Sequence, residues 1–269
     1  MTTVQKVIKF MAMAFAVLLT VSIISGILGA IGSIFGIPDG DAVTEDVKTY
    51  PVSKEIKSLD ISIRAASLTI KRGEDFLVES NLKHLSVEEK NGVLLIKETK
   101  RRGSASPDAI LTLYVPEEAT LEGAKLESGA GALSIEALSA EEIDFTLGAG
   151  EVKIDALFAT KSADIEGGAG KITIFDGAIH NLDVEMGVGK FNLTSSLSGE
   201  CNLEAGVGEM NVTLIGDRDD YSLEFEKGIG SITLDGVSVS NGERIGNGKA
   251  EVEISGGIGA IHIGFQKGE

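Results

Sequence analysis

The sequence predicts an all-β protein: a single-stranded, right-handed parallel β-helix, or β-solenoid, with coils of about 20 residues, preceded by one N-terminal transmembrane helix. Three observations predict it. Apolar residues alternate at every second position from Ile56 onward. A Gly-x-Gly triplet followed by two alternate apolar residues recurs seven times. An uncharged apolar run extends from Phe10 to Phe35.

The N-terminal run is longer than the roughly 20 residues that span a hydrocarbon core. It predicts a cytoplasmic tail over 1–9, a membrane helix over 10–36 and a polar stalk over 37–55 that carries Pro38, Asp39-Gly40 and Pro51. Lys6 and Lys9 before the run favour an N-inside orientation, which makes the protein a single-pass cell-membrane protein with its C-terminal domain outside. A cleaved signal peptide is the alternative, with Ala30-Ile31-Gly32 as a small-residue cleavage site, but its apolar region is usually shorter. Small residues four apart within the run (Ser22, Gly26, Ala30; Gly32, Gly36) allow close helix approach, and are also simply frequent in membrane helices.

The domain over 56–269 begins with alternating segments at Leu59, Ile61 and Ile63, at Leu68 and Ile70, at Leu85 and Val87, and at Leu111, Leu113 and Val115. A period of two means strands. A basic loop with Lys97, Lys100, Arg101 and Arg102 interrupts them, either an exposed connection or a contact for an anionic polymer or lipid. The repeat then takes over. Its glycine pairs are Gly129 and Gly131, Gly148 and Gly150, Gly168 and Gly170, Gly187 and Gly189, Gly206 and Gly208, Gly228 and Gly230, and Gly257 and Gly259. First glycines are 19, 20, 19, 19, 22 and 29 residues apart. A near-constant period of this size marks stacked coils, each a strand, a glycine corner, a second strand and a return turn. The glycines suit a corner where positive φ or close coil-to-coil approach excludes a Cβ. A phosphate-cradling loop would need a helix after the glycines, and a β-pattern follows each one. The last two spacings lengthen through polar insertions at 216–220 and 236–249, which are turns or contact loops.

The stretch from Leu111 to Ile135, a strand ending in Val115-Pro116 that leads into the first glycine corner, and the run of coils to Phe265 resemble a bacterial family. This is the "putative adhesin" domain of unknown function, a GxG-repeat β-helix often tethered in the cell envelope. The resemblance covers about residues 56–269. It implies a non-enzymatic adhesion or interaction module of the envelope, or an accessory protein of an envelope-stress response acting through a membrane partner. It carries over no catalytic residues.

Alternation also assigns faces. Two positions before each first glycine stand Glu127, Thr146, Glu166, Glu185, Glu204, Glu226 and Ser255; four before stand Lys125, Asp144, Asp164, Asp183, Asn202, Glu224 and Glu253. Ten of these fourteen are carboxylates, so one sheet face is acidic. Asp164, Glu166, Asp183, Glu185 and Glu204 are the candidates for a divalent cation, with weak Ca²⁺ binding as the only cofactor considered, or for a basic partner. The alternative is that the charge keeps a β-rich chain soluble. After the corner the signs mix, and Asn192 over Asn211 suits an amide ladder.

Composition narrows the function. Net charge is −17, which excludes nucleic acid as a natural partner. The absence of Trp and the presence of only three Tyr leave no sugar-stacking platform, which weighs against the enzymatic alternative, a β-helical polysaccharide lyase or hydrolase. His84, His180 and His262 are far apart, and Cys201 falls on an inward position, which points to a buried thiol.

Overall fold

Aliphatic side chains at every second position can be hidden only if the segments that carry them are extended and packed in pairs, and the structure does this throughout. The computed structural model describes residues 44–53, 55–99 and 108–268. The expected tail, membrane helix and Lys100, Arg101 and Arg102 lie outside the described residues. Among the described residues the one helical element is the 3-10 turn Arg218–Asp220, and no helix is long and apolar enough to cross a membrane. The remainder is a continuous sheet, mostly of parallel pairs, wound into a solenoid-like stack.

Among the described residues nine layers follow each other along the stack. In spatial order they are 93–98 with 110–116, 58–73, 121–135, 140–154, 160–174, 182–195, 200–215, 250–266 and 221–234. Neighbouring layers are in exact repeat register: Val184 lies between Ile165 and Leu203, and Phe191 between Ile172 and Met210. The alternating aliphatics point inward. Ile154, Ile165, Val184, Leu203 and Ile254 have no accessible surface, and Phe145, Phe191 and Phe225 are the largest fully buried side chains. The core and both end caps come from residues 44–268, which form a self-contained compact unit.

The corner glycines lie where consecutive layers turn together. A Cβ built on Gly168 would sit 2.5 Å from the Gly148 carbonyl oxygen, closer than real Cβ atoms come. The second glycine of each pair adds a positive φ; Gly131, at +130°, would also place a Cβ 2.5 Å from the Ala66 carbonyl oxygen. The second layer turns at Arg64-Ala65-Ala66 without glycine. On its outer side the pairing among the described residues runs to Lys97 and resumes at Ile110.

Four expectations need correction. First, the coils were expected to stack in chain order. Instead the final segment, Ala250–Gln266, inserts between Glu200–Ile215 and the 221–234 layer, so that Gly259 pairs with both Gly208 and Gly230. The mirror arrangement holds at the other end, where 93–98 and 110–116 lie outside 58–73. Every layer presents the same ladder, so the repeat itself does not rank the two orders. Stepping over one layer spans about 10 Å, which three extended residues cover.

Second, the return segment is more than a turn in mid-stack: Gly177–His180 is a third strand, parallel to 157–159 and 196–198, with Leu157, Ile179 and Leu197 buried behind it. Third, Thr44–Pro51, expected in the stalk, pairs antiparallel with Leu77–Leu82 and belongs to the solenoid cap. Fourth, the stack does not end at Phe265. The 236–249 insertion closes it, with Val237–Ser238 and Glu243–Ile245 antiparallel to the outermost layer. Antiparallel strands at both ends cover edges that would otherwise invite pairing with another chain. Tyr221 ties this end together: its hydroxyl donates to the Ile215 carbonyl at 2.7 Å and accepts from the Leu197 N–H at 3.2 Å, and its ring lies 5.8 Å from that of Phe265.

Candidate functional site

The strands that precede each corner point alternate side chains inward, so the residues two and four positions before each first glycine form columns on the outer face. Parallel register then places like residues about 4.8 Å apart. Asp164 stands beside Asp183, and Glu166, Glu185 and Glu204 follow one another in adjacent layers. The five sequence-derived candidates are therefore one contiguous patch.

The layer order trims this patch. Ser255, and not Glu226, is next to Glu204, and Asn202 separates Asp183 from Glu253. Toward both ends of the face several carboxylates are ion-paired. Lys97 Nζ lies 2.9 Å from Asp60 Oδ2, and Lys125 Nζ lies 2.9 Å from Asp144 Oδ2 and 3.6 Å from Glu127 Oε1. Arg244 pairs with Glu224 at the far end. Lys97, read from sequence as part of a basic loop that is either an exposed connection or a contact for an anionic polymer or lipid, is a strand residue paired within the fold. Between these ends Asp164, Glu166, Asp183, Glu185 and Glu204 make no ion pair among the described residues.

The uncompensated charge shows in the acidities. Partial burial, followed by the charges of Asp183, Glu166 and Asp144, raises the Asp164 carboxyl above its ordinary value. Glu204 is the largest influence raising Glu185, ahead of desolvation and of Asp183, Glu166 and Asp164. The sheet after the corner behaves oppositely. Lys190 Nζ lies 3.0 Å from Glu209 Oε1, and Asn211 and Lys190 hold the Glu209 carboxyl below its usual range. Asn211 Nδ2 donates to Asn192 Oδ1 at 3.0 Å, and Asn192 Nδ2 to Thr173 Oγ1 at 3.2 Å, forming a side-chain ladder.

A flat column of carboxylates differs from an enclosing cation site. Among the described residues no group of three or more His, Cys, Asp or Glu side chains converges on a point that could hold a metal ion. The histidines are likewise separate. His180 Nδ1 is 3.0 Å from Ser198 Oγ, with no carboxylate bonded to its ring among the described residues, and His262 Nδ1 is 2.9 Å from Thr233 Oγ1. His84 Nε2 is enclosed without a hydrogen-bond partner. Cys201 is buried, and that burial raises its thiol pKa. These groups form no catalytic constellation among the described residues.

Sequence reasoning missed the middle residue of each glycine triplet. In stack order these residues are Ala130, Ala149, Ala169, Val188, Val207, Ile258 and Ile229; all seven are exposed, and the last four are large aliphatics. The signal was present, since the middle position is apolar in every copy, but it is spaced like the glycines and was absorbed into the corner.

Residues 78–263 match the Toastrack DUF4097 family. The chain belongs to this family. No curated protein matches this Toastrack chain. Among solved structures, a "putative cell adhesion protein" from Clostridium sporogenes is 17% identical with a TM-score of 0.41, over 82% of this chain and 99% of that one. A "putative adhesin" from Bacteroides fragilis is 15% identical with a TM-score of 0.44, over 83% and 100%. A "putative lipid binding protein" from Parabacteroides distasonis is 14% identical with a TM-score of 0.40, over 84% and 98%.

Proposed function

We propose that this Toastrack protein is a non-enzymatic interaction module of the cell envelope that presents its acidic sheet face to a basic partner. One observation carries the reading. Five adjacent carboxylates share a flat face with no ion-pair partner among the described residues, while farther along the same face Lys97, Lys125 and Arg244 pair with Asp60, Asp144 and Glu224. A face kept charged only for solubility has no reason to be compensated at its margins and bare at its centre. A stack of fully paired layers is stiff, so the patch is preorganised and loses little conformational freedom on binding.

The reading includes residues 10–36 as the membrane anchor, with the solenoid outside and right-handed winding of its coils. Length and the flanking Lys6 and Lys9 support the anchor. The test is oligolysine binding to residues 43–269, followed by fluorescence anisotropy across a salt series. Binding that weakens steeply with salt and is lost in Glu185→Gln/Glu204→Gln supports the reading. Equal binding by that variant removes it. Membrane fractionation of the full chain tests the anchor, which fails if the protein stays in the aqueous fraction.

A further inference from the structure

The exposed triplet centres form a stripe. Ala169, Val188, Val207, Ile258 and Ile229 occupy consecutive layers in direct register along one corner of the solenoid. Val188, Val207, Ile258 and Ile229 are 39%, 42%, 37% and 50% exposed. Single aliphatics on a surface are ordinary, but four in successive register form a continuous apolar ridge.

The acidic column runs beside it. Three residues before each ridge position stand Glu166, Glu185, Glu204, Ser255 and Glu226, so four of the five ridge residues have a carboxylate alongside. Between ridge and column the corner glycines leave the surface low. The result is an open trough walled by Glu166, Glu185 and Glu204 and floored by Gly168, Gly187 and Met186.

We propose that this trough and ridge dock an amphipathic α-helix of a partner protein, its apolar side on Val188, Val207, Ile258 and Ile229 and its Lys or Arg flank over Glu166, Glu185 and Glu204. The inference rests on the basic-partner reading above and specifies the partner's form. Geometry selects a helix. A helix laid along the stack repeats every turn at about 5.4 Å, against about 4.8 Å per layer, and drifts only about 2 Å over three steps. An extended strand repeats on one side every ~6.7 Å and slips by more than a layer over the same distance. Charge argues against anionic lipid, which the carboxylate wall repels. It also argues against an antiparallel second copy, which would set the two carboxylate walls face to face.

The test uses residues 43–269 and three 18-residue peptides. One has leucines at helical spacing with lysines on one flank. One has the same composition in strict alternation. One has the helical lysines with serine in place of each leucine. The helical Leu/Lys peptide should bind about tenfold or more tightly than either control, and Val188→Ser/Val207→Ser should erase that advantage without altering the melting temperature appreciably. If all three peptides bind alike and only Glu185→Gln/Glu204→Gln matters, the basic-partner reading stands and the helix-docking inference falls. If none binds, both fall. A peptide-free dimer that Val207→Asp dissociates, or equal binding to phosphatidylcholine vesicles, would also overturn the assignment.

Discussion

Three glycine substitutions separate the two costs that the corners impose. Gly236 has φ +77° and nothing within 4 Å of a built Cβ, so Gly236→Ala adds backbone strain alone. That strain is about 1 kcal/mol once the loss of unfolded-chain entropy is credited. Gly168 has no such φ, but its Cβ would lie 2.5 Å from the Gly148 oxygen. Restoring ordinary contact at 3.4 Å opens the layers locally by about 0.9 Å, which stretches a typical ladder hydrogen bond well past 3.2 Å. Losing two or three such bonds at about 1 kcal/mol each predicts about 3 kcal/mol for Gly168→Ala. Gly131 combines both, with φ +130° and a 2.5 Å approach to the Ala66 oxygen, and should cost about 4 kcal/mol. These are large fractions of a typical domain stability. Urea denaturation of residues 43–269, followed by circular dichroism, reads the order Gly131→Ala worst, Gly168→Ala next and Gly236→Ala mildest. A Gly168→Ala protein no less stable than Gly236→Ala would refute the close-approach reasoning.

Acidity supplies another prediction. A carboxyl whose folded pKa is raised favours the folded state below its unfolded pKa and loses that contribution as pH rises through the folded value. Asp164 and Glu185 are both raised, so the melting temperature should gain a contribution as pH falls through their raised values toward the ordinary carboxylate range. Glu185→Gln should raise it at pH 7 and reduce that gain; an unchanged slope would count against the repulsion. Because no cation cage forms among the described residues, CaCl₂ and NaCl at matched ionic strength should give the same melting temperature. An excess effect of Ca²⁺ would revive the cation reading of the acidic face. The buried Cys201 thiol should resist a disulfide reagent in the native protein at pH 8 and react fully in urea, whereas rapid native reaction would contradict its burial.

What the sequence made legible follows from what is local. The steric demand at Gly129 to Gly259 and the alternation of inward and outward residues each depend on a few neighbouring positions. For that reason the corner glycines, the inward aliphatics and the outward alignment of Asp164, Glu166, Asp183, Glu185 and Glu204 on one face could be read directly, whereas their lack of ion pairs among the described residues could not. The order of the end layers could not. The 221–234 and 250–266 segments carry the same triplet and the same alternation, so either fits on Glu200–Ile215. The choice accompanies long-range contacts such as Tyr221 with Ile215, Leu197 and Phe265, and the 236–249 insertion that caps one layer and not the other. In sequence Thr44–Pro51 reads as stalk because its polar residues resemble a linker, although an edge strand over a cap is equally polar. The ridge was overlooked because exposure at a corner leaves no period-two signature.

The exchanged order of the last layers can be measured with the single native cysteine. Cys201 pairs with Val252, and Val252 in turn with Leu223, so Cys201 and position 223 are two layers apart. Neighbouring layers, about 4.8 Å apart, are within disulfide range and alternate layers are beyond it. On refolding from urea in a redox buffer, Val252→Cys should form an intrachain disulfide with Cys201 and Leu223→Cys should not. A disulfide in Leu223→Cys together with a free thiol pair in Val252→Cys would show the layers stacked in chain order and contradict the architecture described.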